Sequence, residues 1–246
     1  MFSTIKNQNL DVKKQKMTCD GVLADDIPRP LPSHSHTMLI IGHPGSGKTN
    51  LMVSILSQHK REGKRCGMAK IFNHIIIVSP SLSTLKNNIF KDLDETKKHE
   101  ELNEELLEFI IDFTDKAKEE GETTLVILDD VTQQLKKSQA LIKKLGYLLQ
   151  NRRHRLLSFW ILSQRLIDVP TVVRESANYL ILFRPINKRE IELVSNEYLP
   201  VAKDKVNQLL GFVYDKKYNF LMIDMSLRYD GNFLFYKNFD EIVFEA

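Results

Sequence analysis

The feature that most constrains this chain is a glycine-rich turn that follows an apolar run in the segment LIIGHPGSGKTNLM, residues 39–52. Residues 42–49 match the pattern G-x-x-x-x-G-K-[ST] in full. In this pattern the glycines let consecutive backbone N–H groups point inward, where they and the start of the following helix bind phosphates. The pattern requires a strand before the turn and a helix after it, and the flanking residues predict both. We therefore interpret the turn as a nucleoside triphosphate site rather than a glycine-rich turn without a ligand.

The residues of this turn have predicted roles in binding ATP and Mg²⁺, which are the predicted cofactors. Lys48 is expected to reach the β- and γ-phosphates as a catalytic residue, and Thr49 to offer its hydroxyl to Mg²⁺. The predicted ATP-binding set comprises Gly42, Pro44, Gly45, Ser46, Gly47, Lys48, Thr49 and Asn50.

Two further apolar runs end in polar side chains. The run LVIL is followed by Asp129 and Asp130, and the run FWIL by Ser163 and Gln164. The carboxyl ends of parallel strands meet at the ligand-binding edge of a sheet. Asp129 is therefore predicted to hold Mg²⁺ through water, Asp130 to orient or deprotonate the attacking water, and Gln164 to contact the γ-phosphate or its water. Helix capping by the two aspartates and solvation of a strand end by Gln164 are the alternatives.

Apolar runs and helical patterns alternate along the chain, which favours an α/β fold with a parallel sheet covered on both faces. We predict a P-loop NTPase with a central, mainly parallel sheet flanked by helices, plus C-terminal β-hairpins. The predicted strands cover residues 37–41, 74–80, 123–130, 156–164 and 178–183. The predicted helices cover residues 48–61, 82–92, 99–120, 133–151, 170–177, 187–197 and 204–211, and the predicted hairpins cover 212–225 and 227–236.

The predicted organisation is an N-terminal extension over residues 1–36, a P-loop ATPase core over 37–186, and C-terminal helices and hairpins over 187–246 that continue the same domain. The net charge of +3 is too small to indicate nucleic acid by itself. No apolar run reaches the roughly 18 residues that a membrane span needs, and the N-terminus lacks the apolar core of a signal peptide. The two cysteines have no metal-like spacing, so a cytosolic location is expected.

The order of the P-loop, the Asp-Asp strand and the Gln-tipped strand is typical of the FtsK/HerA class of P-loop motors. More narrowly, the chain resembles the genome-packaging ATPases of large DNA viruses and virophages, the poxvirus-like packaging group, over roughly residues 37–240. The narrower signal is RRHRLLSFWILSQRLIDVPTVVRESANYLILFR, residues 152–184, supported by KYNFLMIDM and FYKNFDE near the C-terminus.

The resemblance implies an arginine that acts on the nucleotide of the neighbouring subunit. Arg153 matches that position by its distance from Gln164, with Arg152 and Arg155 as alternatives. Many relatives have Glu where this chain has Asp130, whose shorter side chain must come closer to its water or act through an extra one.

The same resemblance implies an ATP-driven double-stranded DNA translocase that packages a viral genome into a preformed capsid. It would hydrolyse ATP at the subunit interfaces of a homo-oligomeric ring, a pentamer or hexamer, with capsid proteins as partners and no membrane. Its expected location is the host cytoplasm (viral factory) or the virion. The alternatives are a cellular or mobile-element motor of the same class, a P-loop small-molecule kinase, and a scaffold that binds nucleotide without hydrolysing it.

Lysines at positions 136, 137, 143 and 144 fall on one side of the predicted helix over residues 133–151. They predict either a stripe that contacts the DNA backbone or a solvated outer face. Trp160 lies inside an apolar run and is predicted to be a core residue.

Overall fold

The computed structural model describes residues 23, 27, 29–57, 60–61, 64–65, 68–82, 90–199, 203–226 and 234–243. In chain order its strands and helices are β1 (Thr37–Ile41), α1 (Lys48–Leu56), β2 (Lys60–Arg61), β3 (Lys64–Arg65), β4 (His74–Val78), β5 (Lys98–His99), α2 (Glu104–Glu119), β6 (Thr124–Asp129), α3 (Thr132–Lys137), α4 (Gln139–Asn151), β7 (Leu157–Ser163), α5 (Thr171–Glu175), β8 (Tyr179–Phe183), α6 (Lys188–Tyr198), α7 (Lys203–Val213), β9 (Phe220–Asp224), β10 (Leu234–Lys237) and β11 (Asp240–Glu241).

Within these residues one sheet contains nine strands in the order β11-β10-β9-β8-β1-β7-β6-β4-β5. The strands from β8 to β5 in this order are parallel to their neighbours, whereas β9, β10 and β11 extend the sheet in antiparallel fashion. Strands β1, β6, β7 and β8 are buried along their whole length, as expected for strands covered on both faces. The predicted fold class is confirmed.

Alternate residues of each central strand face two separate cores, because side chains along a strand point to opposite faces of the sheet. Leu39 and Ile41 of β1 pack in the core that contains buried residues of α2, α4, α6 and α7. Met38 and Ile40 pack on the other face, where Met52 and other residues of α1 cover the sheet. This arrangement fixes the end of β1 and the start of α1, between which the glycine-rich turn runs.

Two predicted helices differ from the observed elements at their ends. The helix predicted to reach residue 61 ends at Leu56, and β2 begins at Lys60. The helix predicted from residue 99 begins only at Glu104, because the Asn103 side chain accepts a hydrogen bond from the Leu106 N–H (2.8 Å) and caps it. Residues of β5 instead pair with β4 at the sheet edge.

The prediction of one continuous helix over residues 133–151 is wrong. Ser138 has an extended backbone, and its side chain accepts a hydrogen bond from the Leu141 N–H (3.2 Å), so that it caps α4 after α3 has ended. The four lysines therefore do not share one helix face. Lys136 forms an ion pair with Asp168 on another element.

The predicted C-terminal hairpins are only partly correct. Residues 203–213 form α7, so the segment 212–225 contributes one strand, β9, which pairs with β8 and β10. The second hairpin's Asp230-Gly231 turn lies outside the described residues, as do residues 83–89 of the predicted helix 82–92. The division of the chain at residues 36 and 186 stays a prediction.

Trp160 is fully buried, so the prediction of a core residue is confirmed. Its Nε1–H donates a hydrogen bond to Nε2 of His36 (2.8 Å), which is buried against β7. Among the described residues, no helix has the length and apolar character needed to traverse a lipid bilayer.

Candidate nucleotide site

The glycine-rich turn, residues 42–47, connects the end of β1 to the start of α1. Gly45 and Gly47 have φ angles of 75° and 104°, in the left-handed region that favours glycine. A methyl group on Gly42 would lie 2.7 Å from Cβ of Phe183, so the turn can approach β8 only without a side chain here. The Gly42 N–H donates a hydrogen bond to the carbonyl oxygen of Ser163 at the end of β7 (3.1 Å). The glycines therefore have the backbone geometry that the phosphate-binding pattern requires.

Lys48 is the first residue of α1, and its side chain folds back over the turn. Its ammonium group is buried and donates a hydrogen bond to the carbonyl oxygen of Gly42. Burial lowers the pKa of Lys48 from its ordinary value, and the negative charges of Asp130 and Asp129 partly offset this effect. A phosphate group beside Lys48 would add its negative charge to that of the two aspartates and offset the burial of this cation further.

Asp129 is the last residue of β6 and is buried beside Ser79, the residue that follows β4. The Ser79 hydroxyl donates a hydrogen bond to Oδ2 of Asp129 (2.9 Å). Burial raises the pKa of the Asp129 carboxyl, while the Ser79 hydrogen bond lowers it, Asp130 raises it and Lys48 lowers it. Ser79 had no predicted role, although a polar residue directly after the apolar run 74–78 is a detectable signal.

Asp130 follows Asp129 and turns its carboxylate towards the neighbouring strand. Its φ angle of 53° is unusual for a residue other than glycine, and its N–H donates a hydrogen bond to the carbonyl oxygen of Leu162 (3.1 Å). The Gln164 side chain donates a hydrogen bond from Nε2 to Oδ2 of Asp130 (3.1 Å). The structure thus brings Asp129, Asp130, Gln164 and Lys48 together at one edge of the sheet.

The three arginines considered for action on a neighbouring subunit lie at the other end of β7. They form a short 3-10 helix, Arg152–Arg155, directly before that strand. Six residue steps along β7, from Leu157 to Ser163, correspond to about 20 Å. None of these arginines therefore belongs to the cluster at the glycine-rich turn of its own chain.

The three arginines differ in their surroundings. The Arg155 guanidinium is buried, forms an ion pair with Asp115 (2.7 Å) and donates to the carbonyl oxygen of Ile111 (3.1 Å). Arg152 is half-buried and donates to the side chain of Asn178 (2.6 Å). Arg153 is exposed.

Oxygen donors near Lys48 suit a magnesium ion that is shared with a nucleotide. The Asp129 carboxylate and the hydroxyls of Thr49 and Ser79 are hard oxygen donors, which Mg²⁺ prefers. Across the described part of the chain, no group of three or more His, Cys, Asp or Glu side chains could hold a metal ion by itself. Mg²⁺ would therefore depend on phosphate oxygens and water for most of its ligands, as is usual at nucleotide sites.

A cleft of about 310 Å³ lies beside the start of the glycine-rich turn. Its lining includes Gly42, His43 and Gln164 together with Arg165 and Arg184, which follow β7 and β8. Both arginines are exposed. Neither arginine had a predicted role, since an arginine after a strand is common on protein surfaces.

The family was established by comparison with known proteins. The Poxvirus A32 protein family matches residues 29–245 of this chain. The chain belongs to this family. The match includes the glycine-rich turn and all of the cluster at the sheet edge, and it confirms the resemblance to the poxvirus-like packaging group. A search of curated proteins gave no match.

Solved structures show the same fold. The chain is similar to B204, the DNA-packaging ATPase from Sulfolobus Turreted Icosahedral Virus, with 21% identity and a TM-score of 0.56 over 82% of this chain and 97% of that one. It is also similar to the genome packaging NTPase B204 from Sulfolobus turreted icosahedral virus 2 in complex with ATP-gammaS, with 17% identity and a TM-score of 0.52 over 83% and 98% of the two chains. The A32-family chain therefore has the fold of viral packaging ATPases.

Proposed function

We propose that this A32-family protein hydrolyses ATP with Mg²⁺ and uses the energy to move double-stranded DNA into a preformed viral capsid. The observation that carries the proposal is the convergence of Lys48, Asp129, Asp130 and Gln164 beside the glycine-rich turn. A buried cation supplies phosphate binding, one carboxylate suits a magnesium ion, and a second carboxylate with an amide partner suits a water molecule. The similar viral proteins named as DNA-packaging enzymes support DNA as the cargo.

The residues of the site divide phosphate binding, metal binding and activation of water among them. Backbone N–H groups of Gly45, Ser46, Gly47, Lys48 and Thr49 bind the phosphates. Thr49 and Asp129 would hold Mg²⁺, which would supply positive charge against the transferring phosphoryl group. Asp130 orients the attacking water or takes its proton, and Gln164 holds Asp130 in place and contacts the same water or the γ-phosphate.

We further propose that hydrolysis requires a ring of five or six copies. The separation of about 20 Å between the two ends of β7 prevents Arg153 from reaching the nucleotide of its own chain. The exposed Arg153 side chain, before the start of β7, can instead reach the nucleotide of an adjacent copy, where it would stabilise the charge of the transition state. Arg155 suits this task poorly because Asp115 and the Ile111 carbonyl already bind its guanidinium.

Contact with DNA would rest on exposed lysines of the α3–α4 region rather than on one continuous helical stripe. Lys137 and Lys143 are exposed, whereas Lys144 forms ion pairs with Glu104 (2.9 Å) and Glu108. Lysines that contact phosphates read the backbone without base preference, which suits a motor that must move any sequence. Capsid proteins at the viral factory or in the virion are the remaining proposed partners.

The test is the ATPase rate as a function of protein concentration, with and without duplex DNA. The proposal predicts that turnover per subunit rises steeply with concentration as rings assemble and rises again when duplex DNA is added. A Lys48→Ala variant should bind DNA but lose turnover. A constant turnover per subunit that does not respond to DNA, together with transfer of phosphate to a small acceptor, would instead support a small-molecule kinase.

A further inference from the structure

An exposed tyrosine lies against the glycine-rich turn on the side away from the carboxylates. The side chain of Tyr218, which precedes β9, is 57% exposed. A methyl group on Gly47 would lie 3.6 Å from Cδ1 of Tyr218 and 3.7 Å from Cε1 of Phe183. The two aromatic rings therefore flank the position where the turn enters α1.

The turn that presents Tyr218 is held in a fixed conformation. Tyr218 has a φ angle of 71°, which is costly for an aromatic residue unless its neighbours impose it. The side chain of Asn219 donates hydrogen bonds to the carbonyl oxygen of Val213 (3.1 Å) and to Asp215 (2.7 Å), which anchors the turn to the end of α7. Asn238, in the β10–β11 turn, donates to the Asn219 side chain (3.3 Å) and anchors it from the other side. The backbone that carries the exposed ring is thus fixed before any ligand arrives.

The sheet order gives the direction in which a bound nucleotide would extend. Asp129 is the last residue of β6, and Asp130 and Gln164 directly follow β6 and β7. All three lie on one side of β1 and mark the γ-phosphate end of the site. Phe183 is the last residue of β8 and Tyr218 precedes β9, on the opposite side of β1. A nucleotide with its phosphates in the turn must then place its base on the β8–β9 side.

A depression of about 450 Å³ is present at that position. It is bounded by Gly47, Asn50 and Ser54 on the α1 side and by Phe183, Tyr218 and Phe220 on the other. The Phe183 and Phe220 rings contact each other with centroids 5.6 Å apart and form an apolar floor. The space is therefore large enough for a nucleobase and has an aromatic ring at its open edge.

We propose that Tyr218 stacks on the base of the bound nucleotide and that this stacking, rather than hydrogen bonding to the base edge, provides most of the base affinity. The inference rests on the nucleotide site proposed above. The only polar side chains among the boundary residues just named, apart from Tyr218 itself, are those of Asn50 and Ser54. The site is therefore expected to prefer purines to pyrimidines, because larger bases stack more extensively, and to distinguish ATP poorly from GTP.

The test compares binding of ATP with binding of inorganic tripolyphosphate, which occupies the turn but has no base. Isothermal titration should show that Tyr218→Ala weakens ATP binding by about tenfold or more and leaves tripolyphosphate binding unchanged. Tyr218→Phe keeps the ring and should bind ATP as the wild type does. Tyr218→Asn removes the ring but suits a positive φ angle, so it should behave like Tyr218→Ala even if the alanine variant folds poorly.

Two results would overturn this inference. Unchanged ATP binding in Tyr218→Asn would show that the ring does not contact the base, and an equal loss of ATP and tripolyphosphate binding would show that it acts through the shape of the turn. Tyr147→Ala, at an exposed tyrosine on α4, is the matched control and should change neither affinity. Failure of the nucleotide site itself is distinguishable, because the wild type would then bind neither ATP nor tripolyphosphate. Failure of the DNA motor function alone would show as turnover that does not respond to duplex DNA, with the Tyr218 effect on ATP binding intact.

Discussion

Gln164 donates a hydrogen bond to the carboxylate of Asp130 across 3.1 Å and thereby joins the ends of β7 and β6 beside the glycine-rich turn. The backbone strengthens the same link, since the Asp130 N–H donates to the carbonyl oxygen of Leu162. Both the backbone and the side chain of Asp130 are thus hydrogen-bonded to residues at the end of β7. Any ligand that draws Gln164 away would free one carboxylate oxygen of Asp130 for a water molecule.

Replacing Asp130 by Asn should separate hydrolysis from binding. The amide cannot accept a proton from water, so turnover should fall by about 100-fold or more while Mg·ATP affinity stays near that of the wild type. Nucleotide titration and phosphate release measure the two properties. Loss of binding in this variant would indicate that Asp129 and Asp130 have exchanged roles. Gln164→Ala should lower turnover less, because Asp130 keeps its backbone contact.

Replacing Ser79 by Ala should weaken Mg²⁺ binding by the site at low pH. Without this hydrogen bond the pKa of the Asp129 carboxyl rises further, so protons compete with Mg²⁺ at higher pH than in the wild type. The Mg²⁺ concentration for half-maximal turnover should rise about tenfold. The acidic limb of the kcat/KM profile should move to higher pH.

Ser158→Ala is the matched control for Ser79, because Ser158 is equally buried but lies near the start of β7, close to His36. It should leave both the Mg²⁺ dependence and the pH profile unchanged. Equal behaviour of the two variants would mean that the Ser79 effect is a general loss of stability.

Arg153→Ala should abolish ATP turnover, and mixing this variant with a second inactive variant should restore it. Removal of a trans-acting arginine lowers turnover by about 1,000-fold or more. Mixtures of Arg153→Ala with Asp130→Asn subunits should regain turnover, because some interfaces then combine an intact arginine with an intact aspartate. No recovery in mixtures that co-purify as shared rings would contradict the role in trans. Arg189→Ala, at an exposed arginine on α6, should remain active alone.

His36 should make the protein less stable in acid. Burial lowers the pKa of His36 to about 3, from an ordinary value of 6.5, although its hydrogen bond to the His34 carbonyl opposes the shift. Between pH 6.5 and pH 3, His36 is protonated in the unfolded chain but stays neutral in the folded chain. The free energy of unfolding therefore has its full value above pH 6.5 and decreases as the pH falls towards 3. Between pH 7 and pH 5 the loss should be about 2 kcal/mol.

Urea unfolding at those two pH values measures this contribution. His36→Gln should lose about that much of the pH dependence, whereas His154→Gln, at an exposed histidine, should keep it. An identical pH dependence in wild type and His36→Gln would mean that His36 does not remain neutral in the folded protein.

The elements that sequence patterns predicted well are those with strong local signals. Strands β1, β6, β7 and β8 are continuous apolar runs because both faces of the sheet are covered, and their predicted bounds lie within one residue of the observed ones. The break at Ser138 was missed because serine is tolerated within helices as well as at their starts, and only the packing of α3 and α4 selects one state. The two-residue strand β5 has no pattern of its own and depends on pairing with β4.

The sequence by itself determined the glycine-rich turn, because eight consecutive residues carry the whole phosphate-binding pattern and the backbone geometry that it needs. It also determined that Asp129, Asp130 and Gln164 end their strands. Only the tertiary structure decided which side chains support them, since Ser79 reaches Asp129 across 50 residues of chain and Tyr218 reaches Gly47 from a different strand pair. The order of strands in a sheet is set by the packing of the whole molecule, and no local pattern in the sequence records it.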